Sequence, residues 1–222
     1  MKTHTKNWIL VLTMVVAVAV IAGCVIGSGV LRHRVSGSQT SEIAGIVLPQ
    51  PQRNIQPFHF MTTDNQSFTE KDLQGHWTLV FFGFTHCGMV CPTTMASLNT
   101  MYQTLQSSLP EEALPRVVMV TVDPERDTLE RLTDYVGAFN KNFIGARADI
   151  AETVALEKQL HIAAAKIQAD TKGANHYTID HSSEVLLFNP AGELQAYLTW
   201  PHEAGRMAQD YRAIVTRKET RA

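Results

Sequence analysis

Cysteine is nearly absent: the chain has only Cys24, Cys87 and Cys91. Three thiols, one of them inside an N-terminal apolar run, do not make a disulfide framework, which shows several spaced pairs. Charge is sparse as well. Charged residues make up 18% of the chain, the formal net charge is −2, and no long Lys/Arg run occurs. A nucleic-acid surface needs a clustered basic footprint, which argues against DNA or RNA as a partner. There is no internal repeat and no low-complexity tract. What is present is 45% hydrophobic residues in 222, enough for one packed core without staples.

Trp8 to Leu31 is apolar and uncharged, flanked by Lys2 and Lys6 on one side and Arg32 and Arg34 on the other. Roughly 20 such residues cross a bilayer as a helix. The sequence therefore predicts a short cytoplasmic N-terminus (1–7), a membrane anchor (8–31), a linker (32–57) and a folded domain (58–217). The alternative for the anchor is a lipoprotein signal, since Ile21-Ala22-Gly23-Cys24 looks like a lipobox. The spanning helix is preferred because the apolar run continues past Cys24. Either way the domain is expected outside the cytoplasm, in a bacterial periplasm. Pro49, Pro51 and Pro57 discourage a helix in the linker.

Within the domain, Trp77–Phe82 and Val117–Val122 are continuous apolar, β-rich runs of the kind buried central strands show. Pro92 suits a helix start, and Met95, Leu98, Tyr102 and Leu105 form its apolar face. A second helix is expected from Asp127, which with Glu130 fits a capping box. A third is expected over Ile150–Leu160. Strands at Tyr177–Ile179 and Val185–Phe188, a hairpin strand at Leu194–Leu198 and a helix from Glu203 to Arg217 complete the pattern. This order predicts an α/β fold of thioredoxin-like type, a central mixed sheet flanked by helices.

The chemistry is concentrated in Phe81-Phe82-Gly83-Phe84-Thr85-His86-Cys87-Gly88-Met89-Val90-Cys91-Pro92. Two thiols stand at the carboxyl end of a central strand, where sites in open α/β sheets gather. Cys91, taken to precede the helix, is expected to have the lowered thiol pKa. Two soft thiolates select Cu(I) or zinc, and one added imidazole makes a trigonal site suited to copper. A structural zinc site needs four protein ligands, and no further cysteine is available. The residues alone leave the histidine open among His86, His176 and His181, with His202 read as a surface residue. The same pair also allows disulfide exchange, or a single-thiol peroxidase or redox sensor. Against a general thioredoxin, the spacing is CxxxC and no proline occurs between Pro124 and Pro190.

Three segments carry a resemblance: the Phe-Phe-Gly-Phe-Thr-His-Cys…Val-Cys-Pro-Thr-Thr run, Thr121-Val122-Asp123-Pro124-Glu125-Arg126-Asp127-Thr128, and Ile179-Asp180-His181-Ser182. Together, over about Phe58 to Val215, the chain resembles the SCO/SenC family. The resemblance implies a membrane-tethered protein holding one copper ion per chain, as Cu(I) or also Cu(II), on Cys87, Cys91 and His181. It also implies delivery to, or reduction of the cysteines of, the binuclear copper centre of cytochrome c oxidase. The implied partners are that oxidase subunit, other copper chaperones or thiol-disulfide proteins, and the membrane. One departure is visible: Gly88-Met89 stands where family members commonly have Pro and Asp. For Asp123 to Asp127 the readings are an element at the same sheet edge that docks a partner or supports the ligands from behind, or a strand end with a helix cap. The cap is preferred for Asp127, and Asp123 is left open.

Overall fold

Residues 43–52, 54–168 and 177–217 are described by a computed structural model. The chain divides into two units, Met1–Glu42 and Ile43–Ala222, and the described residues belong to the second. The expected N-terminus 1–7, the anchor 8–31, Cys24 and His176 therefore lie outside the described residues. Among the described residues, no helix is long and apolar enough to cross a membrane.

The strands are β1 (Ile46–Gln52), β2 (Phe60–Thr62), β3 (Ser67–Phe68), β4 (Thr78–Gly83), β5 (Arg116–Thr121), β6 (Ile144–Arg147), β7 (Ala164–Gln168), β8 (Tyr177–His181), β9 (Val185–Phe188) and β10 (Leu194–Leu198). The α-helices are α1 (Val90–Gln106), α2 (Leu129–Phe139), α3 (Ile150–Gln159) and α4 (Ala204–Arg217). Eight strands form one mixed sheet in the order β1-β10-β9-β4-β5-β6-β2-β3, and β7 and β8 form a separate two-stranded ribbon. This is the mixed α/β arrangement expected from the sequence. β1 falls within the stretch read as linker.

β4 and β5 are the two apolar runs, parallel in register from Thr78↔Arg116 to Gly83↔Thr121. Every residue of β4 is buried, because a strand with neighbours on both edges and layers on both faces has no solvent side. Each large side chain fully buried there is worth about 1.5–3 kcal/mol. α1 presents Cys91, Thr94, Met95, Leu98, Met101 and Leu105 inward, the three-and-four spacing of a single helical face. It packs against α4. Both β4 and β5 run towards the same edge, so the turn after Gly83 and the turn after Thr121 lie side by side. That edge carries the site.

α2 begins later than expected. Its cap is Thr128, whose side chain accepts a hydrogen bond from Arg131 N at 3.2 Å, and Asp127 is freed for another task. On α3 the buried residues are Thr153, Leu156 and Glu157. Val154, expected to point inward, is half-buried.

Candidate metal centre

The loop from Phe84 to Met89 carries Cys87, and α1 begins at Val90. The helix thus starts two residues before Pro92, which occupies its third position, a place in the first turn where its missing donor costs nothing. Cys91 is inside the helix and fully buried; Cys87 stands ahead of it, half-buried. No side chain caps the helix. Instead Cys91 N donates to Cys87 Sγ at 3.3 Å.

This reverses the expectation for the two thiols. Donation from the Cys91 thiol holds the Cys87 sulfur well below the ordinary thiol range, against the opposing effect of partial burial. His181 and the backbone N–H groups of Cys91 and Met89 add to the lowering. The same bond, together with burial, pushes the Cys91 thiol up. The shared hydrogen bond, with the Cys91 N–H of the first helical turn also pointing at Cys87 Sγ, favours the negative charge on Cys87 rather than Cys91.

Gly83 makes room for this arrangement. A Cβ there would lie 2.8 Å from Phe81 Cε1, 3.2 Å from Met119 Cε and 3.3 Å from Cys91 Sγ. The absent side chain is where the Cys91 sulfur packs.

His181 closes β8 and brings Nε2 to 3.4 Å from Cys91 Sγ. One donor atom each from Cys87, Cys91 and His181 lie within 4.8 Å of one another. His181 Nδ1 is 2.7 Å from the Ser182 carbonyl oxygen. A carbonyl only accepts, so Nδ1 carries the proton, and in the neutral ring the Nε2 lone pair faces the sulfurs. The rings of Phe81 and Phe84 stand edge-on to the imidazole at 6.2 and 5.8 Å, an apolar wall that limits its rotation. Two soft sulfurs and one oriented imidazole form a three-donor set of the type that suits copper, and among the described residues no fourth His, Cys, Asp or Glu joins them to complete a structural zinc site.

Two of the other histidines weighed for the site, His86 and His202, are occupied elsewhere. His86 Nδ1 lies 3.6 Å from Asp127 Oδ1, drawn towards that carboxylate. His202, read as a surface residue, is buried, with ring nitrogens 3.0 Å from Thr94 Oγ1 and 3.2 Å from the Leu198 carbonyl oxygen. It ties the first turns of α1 to the end of β10, and burial depresses its pKa.

Several supporting residues were not anticipated. Asp127 is fully buried and accepts hydrogen bonds from Thr85 N (3.0 Å), Thr85 Oγ1 and Thr121 Oγ1 (2.7 Å). It staples the cysteine loop to the end of β5. Glu157 is 5% exposed, and burial raises its carboxyl to about 7. It lines an open groove of about 490 Å³ together with Lys158, Asp180 and His181, so the imidazole faces a space a partner can enter. The sequence signals were present but faint. Gly83 ends an apolar strand just before a thiol. Asp127 follows the neighbouring strand to the same edge. Glu157 interrupts an otherwise apolar helix face.

Similarity to known proteins can be judged against this geometry. The sequence model of the SCO1/SenC family matches residues 48–216. The human mitochondrial Protein SCO1 homolog is 30% identical over 154 residues, which is 68% of this chain and 50% of that protein. The zebrafish (Danio rerio) mitochondrial Protein SCO2 homolog is 33% identical over 137 residues, 61% of this chain and 47% of that protein. The chain thus spans about half the length of these two relatives. Among solved structures, Arabidopsis thaliana ScoI with copper bound is 26% identical with a TM-score of 0.65, covering 72% of this chain and 98% of that one. Apo Sco1 from Thermus thermophilus is 25% identical with a TM-score of 0.68, covering 80% and 99%. The match runs from β1 into the last turns of α4 and includes the cysteine turn and the histidine ribbon: this chain belongs to the SCO1/SenC family.

Proposed function

We propose that this protein is a copper metallochaperone of cytochrome c oxidase assembly. Cys87, Cys91 and His181 hold one copper ion and pass it by ligand exchange to the oxidase's binuclear copper centre. The observation that carries the reading is the meeting of two sulfurs and one imidazole, from positions 87, 91 and 181, within 4.8 Å. The names of the relatives agree with it. The apolar run 8–31 is read as the tether that keeps the domain at the outer face of a membrane.

The test is a copper(I) titration of the reduced full-length protein against a chromophoric chelator. One ion should bind per chain. His181→Ala, which removes a ligand outright, should weaken binding by more than the roughly 10- to 100-fold typical of losing a residue that only orients a ligand, and leave Cys87–Cys91 disulfide formation intact. An unchanged affinity in His181→Ala would remove the site assignment.

The unequal sulfurs favour a second reading, thiol-disulfide reduction. The Cys87 thiolate attacks a partner disulfide, forming a mixed disulfide and releasing one partner thiolate. Cys91, once deprotonated, attacks the Cys87 sulfur, releasing the second partner thiolate and leaving a Cys87–Cys91 disulfide. Fast turnover with a disulfide substrate, indifferent to His181→Ala and lost in Cys87→Ser, would make this the principal activity.

A further inference from the structure

The strand carrying His181 stands outside the main sheet. β8 pairs with β7 alone, from Ala164↔His181 to Gln168↔Tyr177. Among the described residues no backbone ladder connects the imidazole to the strands that end at the thiols; the chain ties the ribbon to β9 through residues 182–184 alone, and side chains supply the remaining contacts.

One cluster is built to do this. Asp123, fully buried just past β5, accepts hydrogen bonds from the Tyr177 hydroxyl at 2.7 Å and from Arg126 Nε. Arg126 Nη1 donates to the Tyr177 carbonyl at 3.0 Å. The guanidinium carbon lies 3.7 Å from the centre of the Tyr177 ring and 5.9 Å from that of Phe84. Phe84 in turn stands against His181. At the rim, Lys166 of β7 pairs with Glu125 at 2.6 Å. Tyr177 opens β8 and His181 closes it. Residues two apart along a strand share a face, so Tyr177, Ile179 and His181 all turn the same way, and Ile179 between them is buried.

The chemistry suits a fixed joint. A guanidinium is planar, presents several donors in a rigid fork and stacks on aromatic faces, and here it does all three at once. A lysine could supply the charge but not the geometry. The carboxylate of Asp123 accepts from Arg126 Nε and from the phenol together, Arg126 Nη1 goes to the Tyr177 carbonyl, and Arg126 Nη2 has no hydrogen-bond partner among the described residues, so losing Asp123 would strip both the guanidinium and the phenol of their shared acceptor.

We propose that Asp123, Arg126 and Tyr177 form a latch that seats the β7–β8 ribbon against the thiol turn and so sets His181 beside Cys91. They are positioning residues: none of them is a donor in the three-ligand cluster. The proposal deepens the copper reading and rests on it for the affinity measurement.

The experiment compares Arg126→Gln and Tyr177→Phe in the reduced full-length protein, each with and without His181→Ala. Copper(I) affinity should fall about 10- to 100-fold in Arg126→Gln. Tyr177→Phe, which keeps the ring under the guanidinium and loses only a hydroxyl, should lose a smaller factor. In the His181→Ala background neither change should weaken binding further, because the ligand they position is gone. Equal losses in both backgrounds, or parental affinity in Arg126→Gln, would overturn the latch. In metal-free protein, the ring-current shifts that Phe81 and Phe84 impose on the His181 protons should collapse in Arg126→Gln. That measurement decides the latch even if His181→Ala leaves copper binding unchanged, an outcome that would count against the ligand assignment alone. If Arg126→Gln does not fold, Tyr177→Phe decides. Parental affinity and parental shifts in that variant would assign the cluster to core stability and end the proposal.

Discussion

Replacing Gly83 by alanine inserts one carbon where the end of β4 meets the cysteine turn. Its backbone lies outside the left-handed region, so space alone governs the outcome. The new Cβ would sit 2.8 Å from Phe81 Cε1, 3.2 Å from Met119 Cε and 3.3 Å from Cys91 Sγ. All three atoms are ends of side chains and all three residues are fully buried. Overpacking of this kind costs about 1–3 kcal/mol. Alanine gives back about 0.5–1 kcal/mol by restricting the unfolded chain. The net loss is about 0–2.5 kcal/mol, with a central value of about 1 kcal/mol, which for a domain of this size lowers Tm by about 2–4 °C. The site should suffer more than the fold. Metal sites hold their distances within about 0.2 Å, and a Cys91 sulfur pushed aside by a few tenths of an ångström loses its match to His181. Copper(I) affinity should fall about tenfold while the fold survives. Thermal melts of the metal-free protein and chelator competition read the two effects separately. A Gly83→Ala variant with parental Tm and parental affinity would refute the claim that this glycine exists to admit the sulfur.

Asp127→Asn removes the charge from the three hydrogen bonds that staple the cysteine loop to β5, with an expected cost of about 1–3 kcal/mol. Hydrogen exchange at the Thr85 amide should accelerate, and unchanged protection there would show that the staple is unimportant. Leu98→Ala, in the core face of α1 and fully buried, should cost about 2–5 kcal/mol yet leave the copper affinity of the folded protein intact. A matching loss of affinity would mean that the site is not insulated from the core. Glu157 gives a pH dependence. Burial raises its carboxyl from 4.5 to about 7 in the folded state, so the folded protein favours the protonated form. Stability from this group is complete below about pH 4.5, declines as pH rises towards 7 and levels off above it. Glu157→Gln should therefore be more stable than the parent near pH 8, by at most about 3 kcal/mol, and equal to it near pH 4. Denaturant midpoints at the two pH values check this, and a gain of the same size at both would contradict it.

The parts of this fold legible in sequence are those where local pattern and burial coincide. The runs at Leu79–Phe82 and Val117–Val120 could only be buried strands, and the spacing of Met95, Leu98 and Leu105 marks a helix face. β6 escaped notice because it is short and made of small residues. Gly145 is needed there, since a Cβ would meet Thr63 at 2.8 Å and Leu132 at 3.1 Å, and smallness carries no hydrophobic signal. β1 escaped because Pro49 and Pro51 argue against regular structure, although a strand on the rim of a sheet tolerates them. The electrostatics of the thiols turned on where one helix begins. Placing its start at Pro92 gave the favoured position to Cys91, and a start at Val90 gives it to Cys87. Periodicity does not resolve two residues at a helix end. His181 could be singled out by resemblance alone, because the ribbon that delivers it is held by contacts between residues as distant as Asp123 and Tyr177, which no local window contains.

The eight-stranded sheet has two outer rims, and neither is an open template. At one, β1 contributes Pro49 and Pro51, which have no N–H to offer, and its register with β10 shifts between Val47 and Gln52. At the other, β3 is only two residues long. Strand addition by a second chain needs a regular row of free donors and acceptors, and both rims deny it. Copies crowded together can thus meet at either rim of this sheet without zipping edge to edge there.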